Sequence, residues 1–218
     1  MDLSPLSAEQ LSEVIESASS SEQLFDNLSQ YEMKACFMSS DPPRNEDSEV
    51  LSFFYTSFFI AHLLTDQIDE ARALTKRMPQ FLLQRDSSLQ NCLNLLRALW
   101  QHKHEQVYSI LRELPWSETV KPLVQQYEVY FQNKTISEVS RAYGAIRPAV
   151  AASYLGIDPL AAERGDPAVI EKFTSCGWTW DEQTKLLHPK PIDAPHAADS
   201  HLPKGLSEIM ALIGDPES

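Results

Sequence analysis

The sequence predicts a mainly α chain: a helical repeat of the tetratricopeptide type, then a winged-helix subdomain with a small β hairpin, then a separate C-terminal helix. Three observations carry this prediction. Apolar residues recur at helical spacing through residues 1–132. Between 133 and 191 the period changes from 3.6 to 2 behind a series of glycine stops. Only six glycines are present, each at or near a proposed break.

The spacing of Leu11, Val14 and Ile15 predicts a helix over 6–18, and that of Leu24, Phe25, Leu28 and Tyr31 a second over 22–38. The run Asp41-Pro42-Pro43-Arg44-Asn45 makes 39–47 a loop. Residues 50–64 carry Phe53, Phe54, Phe58 and Phe59 and are apolar around most of the circumference, as in a helix packed on several sides. That window falls short of the roughly 20 apolar residues that a bilayer requires, and polar side chains interrupt it. Next comes a helix over 66–78, with Ile68, Ala71, Arg72 and Leu74 on its inner face and Pro79 as the stop. The pairing repeats with helices over 88–101 and 105–114. Another over 117–132 is kinked or delayed by Pro122. Short connections force neighbouring helices antiparallel, and stacked pairs give a degenerate solenoid.

From 133 the chain spells out a smaller unit. Thr135 and Glu138 have capping-box spacing and predict a helix start, with Ile136, Val139, Ser140 and Tyr143 as its stripe and Gly144 as its end. Pro148 suits a first helical position, and Gly156 closes the second helix after Leu155. A third helix opens at Asp158-Pro159 or at Asp166-Pro167, presents Val169, Ile170 and Phe173, and stops at Gly177. Trp178 and Trp180 then alternate along a strand, 181–184 is turn chemistry, and Lys185, Leu186, Leu187 and His188 form the returning strand. Trp178 reads as the plug of the small core. Trp180 and the strand edge read as a contact, because an unpaired edge is a template for another strand.

Residues 192–205 are a Pro-rich linker. Beyond it Leu206, Ile209, Met210 and Ile213 fall at i, i+3, i+4 and i+7, a C-terminal helix over 206–213. So short a helix needs a surface to hold it, on this chain or on a partner, and the long linker favours a partner.

The formal charge is −13, concentrated at the start: residues 1–50 hold 11 acids and 2 bases, whereas 133–191 hold 7 of each. Such a surface argues against nucleic acid as a partner. Cys36, Cys92 and Cys176 are distant, odd in number and without metal-type spacing, so they read as reduced core thiols. The N-terminus lacks a signal-peptide pattern. His102 and His104 read as two solvated residues at a turn. The acid pairs Asp69-Glu70 and Asp181-Glu182 read as solvated surface. With no ligand spacing, nucleophile motif or phosphate-binding glycine pattern, the sequence predicts no enzyme, cofactor, metal or small-molecule substrate.

Helical repeats running into a winged helix with a terminal helix resemble the PCI family, the scaffold subunits shared by the proteasome lid, the signalosome and a translation initiation factor. Ala71-Arg72-x-Leu74-x-Lys76-Arg77-x-Pro79, Trp116-Ser117-Glu118-Thr119-Val120-x-Pro122, Gly177-Trp178 and Pro189-Lys190-Pro191 resemble its small subunits, those of the signalosome above all. The resemblance covers roughly 50–191. It implies a non-catalytic subunit of a complex that removes a ubiquitin-like modifier from cullins, in cytoplasm and nucleus, with the zinc centre in a different subunit. It also implies that winged-helix sheets associate edge to edge and that terminal helices gather into a bundle. On this chain that nominates Trp178 to His188 and Leu206 to Ile213 as contacts with other PCI subunits. The runner-up is the small subunit of the proteasome lid. A winged helix that reads DNA is the alternative of another class, offering Arg164 and Lys172 against Glu163, Asp166 and Glu171.

Overall fold

The computed structural model describes residues 6–39 and 45–190. The expected linker over 192–205 and the terminal helix with Leu206, Ile209, Met210 and Ile213 lie outside the described residues.

Ser7 opens α1 (Ala8–Ser17) with a capping box, its hydroxyl accepting from the Gln10 amide at 3.2 Å. The helix expected over 22–38 is two, α2 (Ser21–Ser29) and α3 (Glu32–Met38). Gln30 and Tyr31 both stay in the right-handed region, so the break leaves no breaker residue to read.

The core is built around α4 (Asn45–Leu64), in which every residue from Leu51 to Leu64 is buried. It packs against α2, α5 (Ile68–Arg77), α7 (Ser87–Trp100) and α9 (Lys121–Ala142), which is why no polar face survives on it. Between α5 and α7 lies α6 (Gln80–Arg85), a helix that the sequence reading omitted; Pro79 stops α5 and serves as the cap of α6. Arg72, expected on the inner face, instead lies outside with its guanidinium 5.0 Å from the Trp100 ring.

α4–α5 and α7–α8 (His104–Glu113) are matching hairpins. Each closes with an amide reaching back five residues, Gln67 to His62 at 2.8 Å and Lys103 to Ala98 at 3.0 Å. The left-handed residue that such a closure needs is Asp66 in one turn and His102 in the other, at φ of 60° and 53°.

α9 contains the largest departure from the sequence reading. It continues through the boundary placed between 132 and 133, and Thr135 is buried in mid-helix rather than capping a new one. Phe131, Thr135 and Val139 are all buried, so a single i, i+4 stripe holds both halves of the helix. Its upstream residues Tyr127 and Phe131 belong to the repeat core, and Val139 belongs to a second, smaller core.

That second core is the winged helix. α10 (Pro148–Leu155) ends at Gly156, and both Asp-Pro pairs open helices, α11 (Pro159–Glu163) and α12 (Pro167–Ser175), where one was expected. Asp158 and Asp166 each accept from the amide two residues on, at 2.9 and 3.0 Å. Strands β1 (Thr179–Asp181) and β2 (Leu186–His188) pair antiparallel, completing a mostly helical chain with one small sheet. Only Cys92 is a core thiol; Cys36 and Cys176 are exposed, each at the outer end of a helix whose other face is already packed.

Candidate docking site

The hairpin aligns Thr179 with His188, Trp180 with Leu187 and Asp181 with Leu186. Asp181 shapes its turn, accepting from the Gln183 amide at 2.8 Å and from the Thr184 hydroxyl at 2.6 Å. Those bonds, the Thr184 one foremost, hold its carboxyl below the usual carboxylate range, so this acid belongs to the turn. Lys185 completes the turn at φ 52° and is exposed.

Leu187 exchanges two hydrogen bonds with Ile146, at 2.8 and 2.9 Å, so the segment before α10 forms a third, one-residue strand. This occupies the outer edge of β2. Backbone groups alternate along a strand, so those of Leu186 and His188 face β1, where they meet Asp181 and Thr179. The Trp180 N–H and C=O therefore point away from the sheet, and among the described residues no strand pairs with the outer edge of β1.

Two of the residues nominated for contact support this surface without forming it. Trp178 is 2% exposed, stacked on Phe173 with centroids 5.8 Å apart, and donates its indole N–H to the Ser140 hydroxyl at 3.0 Å. Leu187 is fully buried. Both must point inward because the pleat alternates and this three-residue hairpin has one apolar face against α9 and α12. Trp180, Leu186 and His188 are half-buried, and the His188 ring nitrogen Nδ1 sits 3.1 Å from the Gly144 carbonyl. The surface that remains is the β1 edge, the exposed part of the Trp180 side chain and the turn at Lys185. Sequence reasoning missed Ile146 and Ser140. Pro148 could have revealed the first, since it drives the preceding segment toward extended backbone. Ser140 was read as one more position on an apolar stripe.

Other titratable groups sit inside the helical region. His62 is buried, and desolvation lowers its pKa. His104 does not fit the solvated reading: it is half-buried, 5.6 Å from the Phe131 ring and 5.1 Å from that of Tyr154, and burial lowers its pKa too. Burial likewise pushes Tyr108 up to about 12 and raises Tyr127. Among the described residues no three His, Cys, Asp or Glu side chains group as metal ligands, and no helix is long and apolar enough to cross a membrane.

A helical repeat whose last helix is also the first helix of a winged helix, with one sheet edge open, defines a PCI-type assembly module. The model of the CSN8/PSMD8/EIF3K family matches residues 49–197. Over its full length the chain is 52% identical to the COP9 signalosome complex subunit 8 of Emericella nidulans, also over that protein's full length. The subunit of the same name from Dictyostelium discoideum is 25% identical over 77% of this chain and 80% of its own. That of Arabidopsis thaliana is 24% identical over 62% and 66%. The chain belongs to the CSN8/PSMD8/EIF3K family.

Proposed function

We propose that this chain is a non-catalytic scaffold subunit of the COP9 signalosome, working in cytoplasm and nucleus. It joins neighbouring PCI subunits through the β1 edge and the 206–213 segment, and so serves the removal of a ubiquitin-like modifier from cullins. Full-length identity of 52% to a protein of that name supports the assembly. The observation that carries the docking mode is the open β1 edge beside Trp180, opposite an edge already closed by Ile146. Strand addition there gives affinity through main-chain hydrogen bonds, and the Trp180 ring gives register. This reading includes no nucleic-acid partner, which is supported by the acids beside the candidate bases: exposed Lys172 on α12 stands next to Glu171, and Arg164 lies between Glu163 and Asp166.

The test is a gentle pull-down of the tagged full chain, read by mass spectrometry and by cullin-directed isopeptidase activity. Signalosome subunits and that activity should co-purify. Proteasome subunits instead would favour the lid reading, and a salt-sensitive gel shift would revive the DNA reading. Trp180→Asp with Leu186→Asp should weaken capture by more than the drop in melting temperature of the isolated chain explains, since both side chains are half-buried. Ile209→Asp with Met210→Asp should do the same.

A further inference from the structure

The two glycine-free turns, Asp66 and His102, flank one cavity of about 240 Å3 where the hairpins α4–α5 and α7–α8 meet α9. Its floor is apolar, with Leu63, Leu99, Val107 and Phe131. Tyr127 lines it from α9. That residue is 3% exposed, its hydroxyl has no hydrogen-bond partner among the described residues, and it is not sealed in the core as the Tyr55 and Tyr108 hydroxyls are. A buried hydroxyl without a partner is costly, and one that opens on a cavity has its missing partner supplied from outside.

The cavity does not stand alone. A hollow over α2 shares Asp66 and Tyr130 with it, and another against α10 shares His102, Lys103 and His104. The three adjoin through these shared walls, with the central cavity the most enclosed, and together they make a trough. Its rim at the centre is balanced: Lys134 is paired with Asp66, Lys103 is matched by Glu138, and burial disfavours the charged form of His104. Its α2 end is not balanced, because Glu22 and Asp26 face the hollow with no basic partner among the described residues.

We propose that this trough docks an extended segment of a partner protein, with one uncharged aromatic side chain bearing a polar atom, Tyr or Trp, seated in the cavity and basic residues lying over α2. The size fits, since an apolar cavity of roughly 150 Å3 takes benzene, and the extra volume here takes a substituted ring. The Tyr127 hydroxyl supplies one hydrogen bond at the floor. The balanced rim rejects a charged anchor, and Glu22 with Asp26 selects the flank. An apolar pocket inside a polar rim is also the anatomy of an interface hot spot.

The test uses the isotope-labelled full chain followed by two-dimensional NMR. 4-Methylphenol should shift the amides of Ala98, Val107 and Lys134 saturably and bind at least threefold more tightly than toluene. Tyr127→Phe should erase that preference while leaving the melting temperature unchanged. Leu99→Trp, which fills the cavity, should abolish both. The peptide acetyl-Lys-Lys-Gly-Tyr-Gly-Lys-Lys-amide should bind at least tenfold more tightly than its Glu counterpart at low salt, and Glu22→Gln with Asp26→Asn should remove the difference. Absent saturation, shifts that persist in Leu99→Trp, or equal affinity for the two peptides would overturn the proposal. None of these readouts involves other signalosome subunits, so failure here leaves the proposed function standing, and the reverse.

Discussion

The two ends of α9 serve cores of different character. Upstream, the repeat buries α4 on all sides and closes its hairpins with Asp66 and His102, side chains that tolerate the left-handed region but do not announce it. Downstream, the winged helix closes its turns with Gly156, Gly165 and Gly177, and its core depends on one aromatic stack and one buried side-chain hydrogen bond. The large core spreads its stability over many contacts. The small one concentrates it in a few, so single changes should separate the two.

The greatest loss should come from Trp178→Ala, about 3–5 kcal/mol for a buried aromatic, measured by denaturant unfolding. An unchanged midpoint would place the ring outside the core. Gly156→Ala probes the seam between the halves. A Cβ there would lie 2.3 Å from Tyr108 Cγ at a φ of 63°. Crowding plus left-handed strain should cost about 2–5 kcal/mol, and a denaturation midpoint equal to that of the native chain would contradict the close approach. Ser140→Ala leaves the Trp178 indole N–H without its acceptor and should cost about 1–3 kcal/mol, whereas Ser140→Thr should keep most of it.

The smallest effect is one of pH, and it belongs to the repeat. His62 and His104 have folded pKa values below the unfolded value of about 6.5, because burial disfavours their charged forms. The folded state thus binds fewer protons than the unfolded one in this window. Stability is fully present above about pH 6.5 and falls as the pH drops toward the lower folded values. Melting temperatures between pH 7.5 and 5 should decline for the native chain and decline less for His62→Gln. A rise on acidification would contradict the burial of these rings.

The same contrast explains what the sequence made legible. Glycine and proline mark the winged helix almost turn by turn, so its helices, hairpin and Trp178 plug could be read in order; the error was to choose between two Asp-Pro caps that both open helices. The repeat hides its punctuation. Gln30 and Tyr31 break a helix while keeping helical dihedrals, and α6 begins at the proline that ended α5. The capping-box spacing of Thr135 and Glu138 misled because a buried stripe through Phe131 and Val139 outweighs a local cap preference. For the site, alternation predicted a hairpin but could not tell which edge stays open. Ile146, distant in sequence from the hairpin, decides that.

Amide hydrogen exchange along α9 tests the central claim, that one helix binds repeat and winged helix into a single unit. The account predicts comparable, strong protection at Tyr127, Phe131, Thr135 and Val139, lost together as denaturant is raised. Fast exchange around Lys134, with the two ends of the helix released in separate steps, would contradict it.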